Sequence, residues 1–593
     1  MIKLIKSLKT SVFLFLLASS TLAFAQKNIR NAAFNSLLDN YYEETLKLNP
    51  LSATQRGDDR YNDLLPNTIS APYLKIVHDM QIKYQSRLAA FKRESLSSFD
   101  KISFDMMSLE IKQALEREKF HGEYIPFSQY TGLPVTLPSF GSGKGIQPFK
   151  TVTDYYNWLK RIDVFTSFSD TAIANFNKGI AIGMILPQAL VIKMIPQMEA
   201  HAVTDTNKNI FYGPVKDFPA SFTETEKSAI RLAYQNAIST KIIPGYKKLA
   251  DYLKNVYLPK SLNTSGINFL PNGDAMYQHA VGVYTATNKK PEEIYQTGLK
   301  EVNRITKAIT LLKDKTGFRG TTDSLFRFMK MDKRFFPFKD DEQILNSYRS
   351  ISSRIQPNLR KLFNIVPKAA FEVKSIEKFK VATSAANYQR GSEDGSRPGY
   401  FNVPIVNAEK YSILNLENLF LHEAIPGHHY QLSLQQENQL LPKLRKFATY
   451  SVFSEGWALY AESLGSELGL YTDPYQQISA LSSELFRAVR LVVDVSLHTG
   501  RMTREEAIKY MVETAGLDTQ RATSETERYM ANPAQALSYK TGELKIKEMK
   551  MNYQKMLGKK FDTKSFHDAI LLGGSMPLNV FETYMNEWVT RNK

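Results

Sequence analysis

The stretch His422-Glu423-Ala424-Ile425-Pro426-Gly427-His428-His429 gathers three of the chain's nine histidines and one acid into eight residues. Imidazole nitrogens and a carboxylate are the ligands of a zinc hydrolase, and a further carboxylate beside them acts as general base. About thirty residues on, Ser454 to Glu462 offers the anionic ligand that two histidines would still lack. The spacing is unusual. In the common His-Glu-x-x-His pattern the histidines share a face at i and i+4. Here His428 follows His422 by six residues, about 240° around a helix and roughly 9 Å along it. His429 returns to the first face but rises about 10.5 Å. Neither pair can bind one ion on a regular helix. Pro426 removes a helix hydrogen bond and Gly427 tolerates unusual backbone, so the helix beginning near Leu416 is expected to break or bulge there. Such a break would bring His428, or alternatively His429, back to His422.

Leu416, Leu419, Phe420 and Glu423 fall on one helical stripe, and an acid in an apolar stripe needs a metal or a wet cleft to justify it. Over 450–468, Phe453, Trp457, Tyr460 and Leu464 form an apolar stripe, with Glu455 and Glu462 on the opposite face. Glu455 is the expected third ligand, and Glu462 is expected to hold a ligand imidazole from behind. Residues 483–499 are apolar nearly all round but carry a stripe of Arg487, Arg490, Asp494 and His498. Such a stripe is either an ion-pair network or a clamp for a substrate carboxylate. Tyr539 follows an Asn532-Pro533 break on the same segment; a phenol is a suitable donor to an oxyanion.

The elements that must position these residues are mostly helical. Amphipathic periodicity covers roughly 30–48, 72–97, 103–119, 152–200, 223–256, 291–314 and 341–364. Pro126 to Lys150 reads as a flexible loop; its Gly141-Ser142-Gly143-Lys144-Gly145 lacks phosphate-loop spacing. Alternating β-formers from Phe371 to Tyr388, a turn-rich Gly391–Gly399 and a strand-like 400–405 predict a small β element before the histidines. The expected fold is mainly α: two helical lobes around a cleft, about 26–370 and 371–593, in one domain. The β hairpin offers an edge for extended substrate.

Residues 1–25 read as a signal peptide, with Lys3, Lys6 and Lys9, an apolar run and Ala23-Phe24-Ala25 before a cleavage point near Ala25. Cleavage would leave 568 residues and lower the formal charge from +17 to +14. With no cysteine there is no disulfide, thiolate site or thiol to lipidate. The expectation is a periplasmic or secreted chain that is not a lipoprotein and has no stable membrane insertion. Its basic residues are scattered, so nucleic acid is not an expected partner.

Arg397-Pro398-Gly399-Tyr400, His422 to Gln431, Ser454 to Glu462, Arg487 to His498 and Pro533 to Gly542 together resemble, in that order, a bacterial family catalogued as domain of unknown function 885. That family in turn resembles zinc peptidases with a His-Glu motif and a downstream Glu ligand. The resemblance implies Zn2+ held by His422, His428 and Glu455, Glu423 as base, and Tyr539 as oxyanion donor. His429, Glu462 and His498 would support the ligands, and Arg397, Tyr400, Arg487 and Arg490 would bind substrate. The resulting expectation is a zinc peptidase for short peptides, either a carboxypeptidase or an oligopeptidase. The alternative is a non-catalytic helical envelope protein that binds peptides or glycans.

Overall fold

A computed structural model describes residues 31–376, 381, 385–393, 395 and 397–593. The proposed signal peptide lies outside the described residues, as do parts of the 371–388 and 391–399 segments. The fold is mainly α, with one three-stranded sheet. Long amphipathic helices include Ala32–Leu48, Ser98–Glu118, Val152–Ile182, Pro291–Lys315 and Asp341–Leu362. Several begin where the sequence supplies a cap: Thr151 and Thr223 form capping boxes with Asp154 and Glu226. The 152–200 periodicity is split, because Gly183 takes a left-handed conformation and Pro187 precedes the next helix, Gln188–Glu199.

Pro126 to Lys150 is not a plain loop. Leu133–Gly141 is a helix that buries Leu137 and Phe140. Pro134 sits in its first turn, where the missing N–H costs nothing, and Gly141 lets Phe211 and Trp158 approach where a Cβ would collide. Reading the segment by its Gly and Pro content alone missed this burial.

Strands β1 (Phe371–Ser375), β2 (Asn387–Gln389) and β3 (Gly399–Val403) form a sheet in the order β1-β3-β2, with β1 parallel and β2 antiparallel to β3. On β3, Gly399, Phe401 and Val403 point inward and are buried. Phe401 lies 6.5 Å from Phe420, which docks the sheet against the Leu416–Glu423 helix.

Two large hydrophobic clusters make up most of the core, and both draw on residues from either side of position 370. One is built on Trp158, Phe165, Phe176 and Tyr246 and takes in Phe486, Val489 and Val493 of the Pro474–His498 helix. The other gathers Tyr348, Phe420, Tyr430, Trp457 and Phe581. The histidine motif belongs to the second cluster, and the arginine stripe to a helix of the first.

Two features fix the helix that carries Tyr539, Ser538–Leu557. Gly542 crosses Gly456 of the Ser451–Glu462 helix so closely that a Cβ on either would collide with the other's backbone. Lys540, its side chain fully buried, reaches Glu484 at 2.6 Å, Glu543 at 2.7 Å and Glu301 at 3.1 Å. A buried cation is tolerable only with such compensation, and removing one partner of a buried pair typically costs about 3–5 kcal/mol. The crossing is tight enough that Gly542→Ala should destabilise the protein by about 1–3 kcal/mol, the usual cost of overpacking. Urea unfolding of the variant checks this; an unchanged midpoint would mean that the two helices can move apart freely.

Candidate functional site

The helix of the histidine motif is broken where the sequence says it must be. Leu416–Glu423 ends at Ala424 (φ −110°, ψ −102°), and a second helix, His428–Glu437, starts after Gly427 (φ −75°, ψ −130°). The Ile425–Pro426 bond is cis. Gly427 passes so close to the Leu421 and His422 carbonyls that a Cβ would collide with both. Trp457, on the neighbouring Ser451–Glu462 helix, donates its indole N–H to Pro426 O at 2.8 Å. This break returns the His428 ring to within 4.8 Å of the His422 ring, centroid to centroid, at an interplanar angle of 84°.

Glu455 completes the group. One ligand atom from each of His422, His428 and Glu455 lies within 4.8 Å of the others. Glu455 Oε2 is 3.5 Å from Nε2 of both imidazoles, beyond good hydrogen-bond length, and this buried oxygen has no hydrogen-bond partner. Two imidazole nitrogens and an unpartnered carboxylate oxygen that converge without bonding one another suit a small divalent cation. The N,N,O donor set is one that zinc accepts. Among the described residues no other group of His, Cys, Asp or Glu meets the same ligand-atom spacing.

Glu462 stands behind His422. Its Oε1 accepts from His422 Nδ1 at 2.7 Å, which leaves Nε2 to face Glu455. Glu455 and Glu462 are seven residues apart on one helix, so a single imidazole spans two of its turns. Burial disfavours charge on His422, but Glu455 and Glu462 outweigh it and raise its pKa to about 10. Burial would likewise keep Glu455 protonated, yet His428 and His422 hold its pKa far below the ordinary carboxylate range. Glu462 is kept ionised against burial by Arg487, whose Nη2 is 3.7 Å away, and by His422 and Asn418. Tyr471 in turn donates from its hydroxyl to Asn418 Oδ1 and to the Glu462 carbonyl, both at 3.0 Å. Helical spacing does not mark Asn418 or Tyr471; the signal the sequence does carry is an Asn beside Glu417 in an apolar helix.

Glu423 is buried next to His422, and its carboxylate makes no hydrogen bond among the described residues. Its charge reaches Tyr348 and His422. Tyr539, in the first turn of its helix, lies within electrostatic reach of Glu455. Burial and that carboxylate raise the phenol's pKa, so it remains a proton donor.

Other expected site residues are placed elsewhere. His429 turns away from the ligand group: its Nδ1 shares a hydrogen bond with the Tyr388 hydroxyl at 2.9 Å, and its ring packs on Phe371 at 4.5 Å. His429 thus braces the sheet. His498 does not touch the ligand group either. It accepts from the Ile267 amide at 3.2 Å and donates to the Tyr529 carbonyl at 3.1 Å, and burial keeps it neutral with a pKa of about 4. Its role in supporting the ligands is therefore corrected to bracing the backbone. Asp494 does not neutralise Arg490. It accepts from Tyr277 OH at 2.7 Å and from the Ala534 amide at 3.1 Å, and Arg490 pairs with Glu525 and Tyr529 instead. Arg397 and Tyr400 lie by the sheet, with the guanidinium 5.9 Å from the Tyr400 ring and Lys374 Nζ 3.3 Å from the same ring.

With this geometry in place, comparison with known proteins is decisive on kinship. The model of the family described as bacterial protein of unknown function (DUF885) matches residues 50–585. The chain belongs to that family. This DUF885 protein is similar over 94% of its length to the crystal structure of a "putative lipoprotein" from Colwellia psychrerythraea, 99% of which is covered, with 27% identity and a TM-score of 0.86. It also shares its fold with a "putative lipoprotein of unknown function" from Shewanella oneidensis: TM-score 0.73, 18% identity, 94% of this chain and 100% of that one. Nothing among the curated proteins matches the chain.

If Glu462 orients the imidazole as its 2.7 Å contact indicates, Glu462→Gln should lower zinc affinity by about 10- to 100-fold, the usual cost of losing such a support. Titration of the metal-free protein against a chromogenic chelator measures this. An affinity equal to that of the unmodified protein would show that Glu462 supports only the fold.

Proposed function

We propose that this DUF885 protein is a zinc-dependent peptidase of the cell envelope that hydrolyses short peptides. The observation that carries the reading is the convergence of His422, His428 and Glu455, with Glu462 on the far nitrogen of His422. His422, His428 and Glu455 would hold the ion, which when bound lowers the pKa of water and polarises a carbonyl.

The chain's own residues supply the rest. Glu423 follows a ligand histidine directly and carries a carboxylate with no other hydrogen-bonding task among the described residues. It accepts a proton from the attacking water and passes it to the departing amine. Tyr539 keeps its proton and donates a hydrogen bond to the oxyanion as it forms. The buried surroundings of His422, Glu423 and Glu462 strengthen these interactions by excluding bulk water. Among the described residues no strand pairs with the outer edge of β2, where an extended substrate would add.

Two similar structures described as lipoproteins, together with the signal-like first 25 residues, support an envelope location, periplasmic or secreted. No helix of the described residues is long and apolar enough to cross a membrane.

Glu423→Gln should retain zinc and lose hydrolysis by about 100-fold or more, the span of general-base contributions. Tyr539→Phe should lower kcat by about 100-fold with little change in KM, because the bond it loses forms only in the transition state. Digestion of a peptide library, with metal content measured on the same samples, checks both. Full activity in Glu423→Gln would refute the mechanism. If no peptide is cleaved by the native chain, the protein is better described as a non-catalytic envelope binder of peptides or glycans, which has no use for Glu423.

A further inference from the structure

Several arginines gather beside Tyr539. Three guanidinium carbons lie within 6 Å of the Phe486 ring: Arg490 at 4.4 Å, Arg521 at 5.1 Å and Arg487 at 5.8 Å. Arg490 is also 4.4 Å from the Tyr539 ring, and Arg528 adds a fourth guanidinium close enough to bear on Tyr539.

Few acids face them. Glu525 is shared by Arg528 at 2.9 Å, Arg490 at 3.3 Å and the Tyr529 hydroxyl at 2.7 Å. Glu462 is 3.7 Å from Arg487 but is committed to His422. Asp518 caps the Thr519–Ala531 helix through the Arg521 amide. Arg521 itself is exposed and makes no ion pair among the described residues. Burial at its head group and the neighbouring charges of Arg487 and Arg490 depress its pKa despite Glu525 and Asp518. Arg490 is 6% exposed, and its buried Nη1 has no hydrogen-bond partner, so a charged donor is left waiting. An unpaired buried guanidinium nitrogen among like charges is costly unless an anion joins it.

We propose that Arg490 and Arg521, backed by Arg528 through the Glu525 it shares with Arg490, form a pocket for the free α-carboxylate at a peptide's C-terminus, so that the enzyme trims peptides from that end. The inference rests on the peptidase reading and names its substrate class. Arg521 and Arg528 lie outside the arginine stripe visible in the sequence; the fold brings them to it from the next helix but one. The pocket is close to the reacting centre, because Tyr539 is in reach of both Glu455 and Arg490. The carboxylate would therefore sit near the scissile bond, at the C-terminal end of the bound peptide. A planar guanidinium fork matches a carboxylate with two parallel hydrogen bonds, which a lysine cannot provide.

The test uses the full chain carrying Glu423→Gln, loaded with zinc, and two short peptides that differ only in a free or amidated C-terminus. Calorimetry should show the free acid binding about ten- to a hundredfold more tightly, the value of a charge-assisted bidentate pair. Arg521→Gln, at an exposed position that spares the fold, should shrink that ratio by about tenfold. Arg490→Lys should shrink it too while keeping the charge, with thermal unfolding run alongside to confirm folding. Equal affinity for acid and amide overturns the pocket, and equal cleavage of both by the native chain does so while leaving the peptidase reading intact. Acid-selective binding without cleavage of either peptide upholds the pocket and discards the peptidase reading instead.

Discussion

A continuous helix would set His422 and His428 about 9 Å apart along its axis and on different sides. Pro426 and Gly427 prevent this by breaking the helix, and the indole of Trp457 holds the Pro426 carbonyl, so that four non-helical residues form a tight return between two helices. Gly427 makes the return possible, since only a residue without a Cβ passes the Leu421 and His422 carbonyls at that distance. The same Trp457 belongs to the helix that carries Glu455 and Glu462, so one hydrogen bond sets the histidine return against both carboxylates. It does so from a site packed by Phe363 and His567 at 6.2 Å and 5.9 Å, which leaves the indole little freedom.

Once that return is fixed, the remaining charges have to be matched, because His422 and Glu462 are buried and Glu455, His428 and Arg487 are only partly exposed. His422 lies between two carboxylates, Glu462 between His422 and Arg487, and Glu455 between two imidazoles. Removing one of these groups would leave another charge without compensation, so a change at one is expected to be felt by the rest. The opposite wall is held by different means. The Gly456–Gly542 crossing brings two helix backbones together, and Lys540 ties the second of them to Glu484 and Glu301. Tyr539 sits between these anchors, one residue from Lys540 and three from Gly542. Under the proposed mechanism, a donor placed this way would need little reorganisation when charge develops beside it.

Much of this arrangement could be read in the sequence. The mainly α class followed from periodicity, and the small sheet from alternating β-formers before position 403. The helix break followed from the incompatibility of a six-residue histidine spacing with one ion, given Pro426 and Gly427 between them. The pairing of Glu455 with Glu462 on one face followed from their seven-residue separation. What escaped reading depends on contacts distant in sequence. Nothing local tells that Gly456 meets Gly542, that Asp494 turns to Tyr277, or that His498 faces backbone groups. The Leu133–Gly141 helix escaped because its prolines and glycines suggest a loop, while its burial against Trp158 and Phe211 overrides that preference. Arg521 and Arg528 lie on a polar amphipathic helix, where an arginine ordinarily reads as a solvated face.

The central claim is that His422, His428 and Glu455 are the ligands of one zinc ion. X-ray absorption at the zinc edge, on the full chain purified without added chelator, tests it most directly. One zinc per chain is expected, with two imidazole nitrogens at about 2.0–2.1 Å and carboxylate or water oxygen at about 2.0–2.2 Å. His428→Ala is also expected to remove one imidazole from the shell. A protein that binds no zinc when the ion is supplied in excess, or a shell without imidazole, would contradict it.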